Sequence, residues 1–179
     1  LFDLNTKVIN LFGNPGSGKS TTASYLFSEM KALGIEVELV TEVAKDLVWD
    51  EDWKRLNNQV YIFSTQLQRI DRLVGKVEYI ITDSPLLLQI GYYKQRGLPA
   101  PKHFKKLCIA YNKRYNNINI WLKSNKELSQ IGRAELDLDP MKYLSTMEFD
   151  YKTDCRHRKE ILEYILGGNQ DEKDKIRMG

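Results

Sequence analysis

The sequence has little of several things, and each shortage removes a class of protein. Two cysteines, Cys108 and Cys155, stand far apart with no CxxC or zinc spacing, so neither a disulfide framework nor a structural zinc site is expected and both thiols read as reduced. Two histidines, His103 and His157, have no partner at metal or relay spacing, and neither is assigned a role. No apolar run is long enough to span a bilayer, and residues 1–7 lack an apolar stretch with a cleavage site. The expectation is a soluble, unsecreted, cytoplasmic protein without a membrane partner. Charge of one sign is missing too: 27 Lys and Arg face 24 Asp and Glu, a net charge of +3, which gives no electrostatic case for coating a duplex or an anionic membrane. No internal repeat is present.

What is present is enough for one core. At 179 residues and 42% apolar, the chain fits a single domain and is short for two. Val8 to Phe12 is an apolar run ended by Gly13, the pattern of a buried strand entering a tight turn. A helix is expected from about Gly18, with Ala23, Leu26, Phe27 and Met30 at core spacing, stopping at Gly34. Ile35 to Val40 alternates and is β-branched, a second strand ending at Thr41-Glu42. Trp53, Leu56, Val60, Phe63, Leu67, Ile70 and Val74 step by three and four, which predicts one long helix with a core-facing stripe. Val77 to Thr82 is a third strand, closed at Asp83-Ser84-Pro85 because proline cannot donate to a ladder. Helices are expected from Leu86 to about Lys94 and through Phe104 to Tyr115, separated by a loop around Gly97 to Pro101. Ile118 to Leu122 reads as a fourth strand, and a short run Met147 to Tyr151 follows a polar excursion. A last helix carries Ile161, Leu162, Ile165 and Leu166, capped by Thr153 or Asp154.

Strands alternating with helices call for a parallel sheet covered on both faces, because each parallel step needs a crossover. Ligands in such sheets bind at the carboxyl ends of strands. Those ends carry Gly13 to Ser20, Glu42 and Asp83, three local signals that converge on one site.

Gly13-Asn14-Pro15-Gly16-Ser17-Gly18-Lys19-Ser20 fits G-x-x-x-x-G-K-[ST] without departure. The chemistry requires these types: glycines let backbone N–H groups turn toward phosphate oxygens, Lys19 reaches the β and γ phosphates, and the Ser20 hydroxyl ligates magnesium. The helix that follows, with Thr21 next in line, presents its positive end to the same anion. GTPase signatures are absent, since the third strand ends Asp83-Ser84-Pro85-Leu86 and Asn125-Lys126-Glu127-Leu128 lacks the guanine-reading aspartate. The residue after Asp83 is Ser84, not the glutamate with which a mechanical ATPase polarises water.

With these motifs the sequence resembles the small P-loop nucleoside and nucleotide kinases, a phage and bacterial group related to deoxynucleotide and nicotinamide-ribonucleotide kinases. The carriers are Gly-Asn-Pro-Gly-Ser-Gly-Lys-Ser-Thr-Thr at 13–22, Thr-Glu-Val-Ala at 41–44, Thr-Asp-Ser-Pro-Leu at 82–86 and Ile-Gly-Arg-Ala-Glu at 131–135. The resemblance implies an α/β fold, the three-layer P-loop NTPase fold with a five-stranded parallel sheet and a helical lid. It would comprise a kinase domain over 1–166 with its lid at about 123–145, and a flexible tail over 167–179. It implies ATP and Mg2+ as donor and cofactor, and a small nucleoside or nucleoside monophosphate as acceptor. Residue by residue, it matches Glu42 to the acidic group beside the acceptor hydroxyl, either as base or as orienting group. Asp83 matches the carboxylate that holds magnesium, and Arg133 a lid arginine that clamps the phosphates. Many lids of the group carry several arginines; here Lys123 and Lys126 would share the work.

On the long helix, Gln59 and Gln66 lie seven apart on one flank of the stripe and Arg69 one turn beyond Gln66. That flank is where an acceptor would be lined, Gln being able to read a base edge. Trp49 and Trp53 are expected to pack in the core, with stacking on an acceptor base as the alternative. A 5′-polynucleotide kinase, acting on a nucleic-acid end, and a slow regulatory ATPase remain the rival functions, and a homo-oligomer is compatible with all three.

Overall fold

The computed structural model describes residues 5–95, 102–123, 144 and 148–167. The expected lid, Arg133 and Lys126 with it, therefore lies outside the described residues except for Lys123 and Leu144, as does the tail beyond Gly167.

Among the described residues twelve elements follow one another: β1 (Lys7–Phe12), α1 (Lys19–Ala32), β2 (Val37–Val40), α2 (Val43–Trp49), α3 (Trp53–Leu56), α4 (Gln59–Asp71), β3 (Tyr79–Thr82), α5 (Leu88–Gln95), α6 (Lys102–Asn112), β4 (Asn116–Lys123), β5 (Tyr151–Asp154) and α7 (Arg158–Leu166). The strands form one five-stranded sheet in the order β2-β3-β1-β4-β5, and every pairing is parallel. The expected five-stranded parallel sheet is therefore present. β1 is the central strand, with Ile9 level with Ile81 on one side and Ile118 on the other.

Alternation along β1 splits the core in two. Val8 and Phe12 point to the face covered by α4, α5 and α6, among Phe63, Ile70, Leu88, Phe104 and Cys108. Ile9 and Leu11 point to the face covered by α1 and α7, among Leu26, Met30, Ile161 and Ile165. A strand buried on both faces reads as a continuous apolar run, which is why β1 and β3 were legible without alternation. Because all strands run the same way, their carboxyl ends share one edge, and Gly13, Thr41, Asp83 and Cys155 follow directly there. β1 leads to β2 on one side while β4 and β5 lie on the other, so the chain reverses its order beside Gly13.

Several expectations are corrected. The stripe from Trp53 is not one helix: Asp52 Oδ1 caps α3 by accepting from Arg55 N, the chain turns at Asn57, and Asn58 Oδ1 caps α4 by accepting from Tyr61 N. Side chains that cap backbone donors start a new helix wherever they stand, and the apolar spacing across the break is incidental. Val60 in the supposed stripe is 53% exposed. Trp49 and Trp53 are not in the core, being 77% and 56% exposed. Thr153 and Asp154 do not cap the last helix; they belong to β5, and His157 occupies the cap position without a side-chain bond to the helix backbone. The fifth strand, β5, starts at Tyr151, where the short run noted from Met147 ends. A short helix, α2, was not anticipated. Cys108 and Cys155 are both free thiols, and both are buried. Among the described residues no helix is long and apolar enough to cross a membrane.

Candidate functional site

Residues 13–18 connect the tip of β1 to the start of α1 and demand glycine at both ends. A Cβ on Gly13 would sit 2.4 Å from Ser17 Oγ and 2.6 Å from the Leu122 carbonyl oxygen. Gly18 has φ +82, and a Cβ there would meet the Cβ of Cys155 at 2.8 Å. The loop closes on itself where Ser17 N donates to Asn14 O at 3.0 Å. Lys19 Nζ reaches back over it, donating to Gly13 O at 2.8 Å and Asn14 O at 3.1 Å. The ammonium thus lies across the loop that the phosphate motif builds. The first turn of α1 contains no acidic residue, so the positive end of the helix is left for an anion. Several polar atoms here are enclosed yet have no partner: Asn14 Oδ1, Ser17 Oγ and Thr22 Oγ1.

Beside this loop, Asp83 ends β3. It is buried, and its Oδ2 accepts the Ser20 hydroxyl at 2.6 Å, while Oδ1 is buried with no partner. Two hard oxygen donors thus stand in direct contact, and Asp83 keeps one oxygen without a partner.

On the other flank, Glu42 follows β2 and occupies the cap position of α2, half-buried. Its neighbours are held by α4. Gln66 accepts from Val43 N through Oε1 at 3.1 Å and donates through Nε2 to Thr41 O and Thr82 Oγ1, both at 3.3 Å. Arg69 donates to Thr41 O at 3.3 Å and pairs with Asp46 at 2.6 Å. The structure therefore spends the amide of Gln66 and the guanidinium of Arg69 on the backbone around Glu42. Gln59 is placed differently: its Nε2 donates to Gln89 Oε1, its own Oε1 is buried without a partner, and Gln89 Nε2 donates to Ser84 Oγ at 3.4 Å.

Of the residues expected from sequence, Gly13 to Thr21, Glu42, Gln59, Gln66, Arg69 and Asp83 all lie at or just behind the carboxyl edge of the sheet; Arg133 is outside the described residues. Sequence reading missed Thr82, Ser84 and Gln89, which lie at the same strand end and in the first turn of α5. It also missed Cys155, which backs the phosphate loop; a correct placement of β5 would have put it at a strand tip. A separate cavity of about 770 Å³ opens at the beginning of β5. Its lining includes Asp150, Glu160 and Glu163, and three carboxylates make it unsuited to a phosphate.

A family model described as an AAA domain matches residues 8–143. Among solved structures, thymidylate kinase from Ehrlichia chaffeensis is similar with a TM-score of 0.58 at 14% identity, over 90% of this chain and 98% of that one. The APS kinase of Mycobacterium tuberculosis gives a TM-score of 0.54 at 9% identity, over 91% of this chain and 96% of that one. At such identities the likeness is one of fold, a P-loop kinase-like arrangement of sheet and helices. Among the curated proteins none matches the chain.

Proposed function

The chain belongs to the AAA-domain family, and from that premise we propose that it is a magnesium-dependent phosphotransferase moving the γ-phosphoryl group of ATP to a nucleoside or nucleoside monophosphate. The observation that carries this reading is the Ser20–Asp83 pair with its unpartnered Asp83 Oδ1, followed in the chain by Ser84 instead of a water-activating carboxylate. A buried carboxylate oxygen without a partner is costly, and a hard divalent cation relieves it, so the residues present fit magnesium. Bound there, the ion would neutralise charge on the β and γ phosphate oxygens.

The protein's own groups divide the remaining work. Backbone N–H groups of 13–20 and the start of α1 hold the phosphates, and Lys19 shifts its donors from the loop carbonyls to the β and γ oxygens. Glu42, set by Gln66 and Arg69 through the backbone, orients the acceptor hydroxyl on the opposite flank. A loose transition state needs little proton removal, so alignment outweighs basicity in that role. Gln59 faces the acceptor with its free amide oxygen, and Arg133 from the expected lid supplies positive charge to the transferring group. A strand-binding polynucleotide kinase is less favoured, because a net charge of +3 dispersed along the chain makes no electrostatic groove for a strand.

The test is incubation with Mg-ATP and a panel of nucleosides, nucleoside monophosphates and short 5′-hydroxyl oligonucleotides, with products separated chromatographically. A phosphorylated small acceptor is expected; ADP release without a phosphorylated product overturns the reading. Lys19→Ala should lower transfer by on the order of 10²–10³-fold while the fold persists, and full activity in that variant would refute the phosphate-loop assignment.

A further inference from the structure

Gln59, Gln89 and Ser84 form an enclosed polar chain whose two ends differ. All three are buried, and they come from the start of α4, the first turn of α5 and the end of β3. Gln59 Nε2 donates to Gln89 Oε1, and Gln89 Nε2 donates to Ser84 Oγ. The far end is therefore a hydroxyl, and the near end is Gln59 Oε1, buried and unpartnered.

A primary amide has a donor and an acceptor at nearly superimposable positions, and a hydroxyl both donates and accepts. Turning both amides over together keeps every heavy atom in place and every internal bond made. Gln89 Nε2 then donates to Gln59 Oε1, and the Ser84 hydroxyl donates to Gln89 Oε1. What changes is the free end, which becomes a donor, Gln59 Nε2. The two arrangements make equal numbers of internal bonds, so neither is excluded by the protein, and the group that arrives at Gln59 selects between them.

We infer that Gln89 and Ser84 are positioning residues that let Gln59 meet the acceptor's base with either polarity, so that the site takes both amino and keto bases. The inference rests on the proposed reading of Gln59 as part of the acceptor site. Amino and keto bases are opposites at corresponding edge atoms: cytosine offers an N4 donor where thymine offers an O4 acceptor. A fixed polar group rejects one of such a pair strongly, since a buried group left unpaired is penalised in full. A reversible chain removes that rejection.

Two substitutions fix the free end as an acceptor from opposite directions. In Gln89→Glu the ionised carboxylate accepts only, which draws Gln59 Nε2 inward and leaves Oε1 outward. In Gln59→Glu the outward atom is an oxygen whichever way the group is turned, and Gln89 Nε2 donates inward. Binding of deoxycytidine and thymidine 5′-monophosphates is measured by calorimetry, and kcat/KM for the same pair by transfer assay. The native protein should discriminate between them by less than about thirtyfold, far below the 10⁴-fold that a fixed polar site reaches. Both variants should shift the ratio by at least about tenfold, the size of one hydrogen bond lost, and in the same direction. A packing role alone would weaken both probes equally.

Equal losses, shifts of opposite sign, a larger native discrimination, or no binding of either probe would each overturn the inference. Should the variants fail to fold, the native protein still decides: the Gln59 side-chain amide signals in ¹⁵N NMR must differ between the two complexes, because Nε2 faces inward in one and outward in the other. Identical signals refute the reversal. Binding with the expected ratios but no transfer would refute the phosphotransferase reading and leave the reversible chain standing.

Discussion

Gln66 is polar at both ends of its amide and fully enclosed, and its three bonds tie together Thr41, Val43 and Thr82. From sequence it was indistinguishable from Gln59: both are glutamines on one flank of a helix, seven residues apart, and spacing gives the face without saying which partner waits there. The structure separates them, because one amide is used up by backbone and the other keeps a free end. Gln66→Leu leaves the Val43 N–H and the Thr41 carbonyl without that partner, so unfolding in urea should show a loss of about 1–3 kcal/mol. Transfer should fall as well, through displacement of Glu42. Asp83 behaves in the opposite sense. Asp83→Asn keeps an acceptor for the Ser20 hydroxyl but removes a buried charge with an unpartnered oxygen. Magnesium-dependent transfer is expected to drop by on the order of 10²–10³-fold, while the melting temperature holds or rises, the usual trade at a site built for a ligand. A fall in melting temperature together with retained turnover would show that Asp83 serves the fold and not the metal.

At the scale of elements, the phosphate loop is a sandwich: β1 leads in, α1 leads out, and the turn after β5 lies underneath. Cys155 is the contact, with its Cβ 2.8 Å from where a Gly18 side chain would begin. That turn is itself clamped, since Arg156 donates through its backbone N and guanidinium to Asp154 and holds that carboxyl down at about 2. The strand–loop–helix unit was legible because its motif constrains residue type at each position. The support beneath it was not, since nothing in Asp154-Cys155-Arg156 marks which strand will lie beside the loop 137 residues earlier in the chain, counting from Gly18 to Cys155. The same limit explains the helix break at Asn57: a three-and-four spacing of apolar residues continues through it, and only the caps at Asp52 and Asn58 reveal it. Gly18→Ala should abolish ATP binding, because both the left-handed backbone and the space are denied. Cys155→Leu adds bulk from below; overpacking of this kind costs about 1–3 kcal/mol, and the Kd for ATP should rise by tenfold or more. Cys155→Ala removes bulk and should leave ATP affinity within about threefold, the range expected when a small cavity is left away from the ligand. Equal effects of the two substitutions would show that the contact does not shape the loop.

For the molecule as a whole, the sheet and its two covered faces follow from hydrophobic runs that any parallel sheet must have, and the sequence pattern was sufficient to place four strands within a few residues of their observed ends. The fifth strand, only four residues long, has no such run: Tyr151-Lys152-Thr153-Asp154 is polar at alternate places and owes its position to pairing with β4. The distribution of titrating groups in the core was not readable at all. Cys108 is enclosed between the sheet and α6, and burial pushes its thiol from 9.0 up to about 12. Tyr115 is raised further, first by burial and then by donating its hydroxyl to Asp71 Oδ1 at 2.6 Å. In the unfolded chain these groups lose their protons from about pH 9 and pH 10, whereas the folded protein holds them. Their contribution to stability is complete below about pH 9 and is lost as pH rises toward the folded values. Between pH 9 and 10 the unfolding free energy should therefore fall with a slope approaching ~1.4 kcal/mol per pH unit from Cys108, and more steeply above pH 10 as Tyr115 joins. Urea midpoints measured from pH 7 to 11 check this. Cys108→Ala should flatten the curve between pH 9 and 10 and lessen the slope above it, while Tyr115→Phe should keep the fall that begins at pH 9 and remove only the steepening above pH 10. A midpoint that stays level to pH 11 in the native protein would mean that neither group is sealed from water as the packing of α6 against the sheet requires.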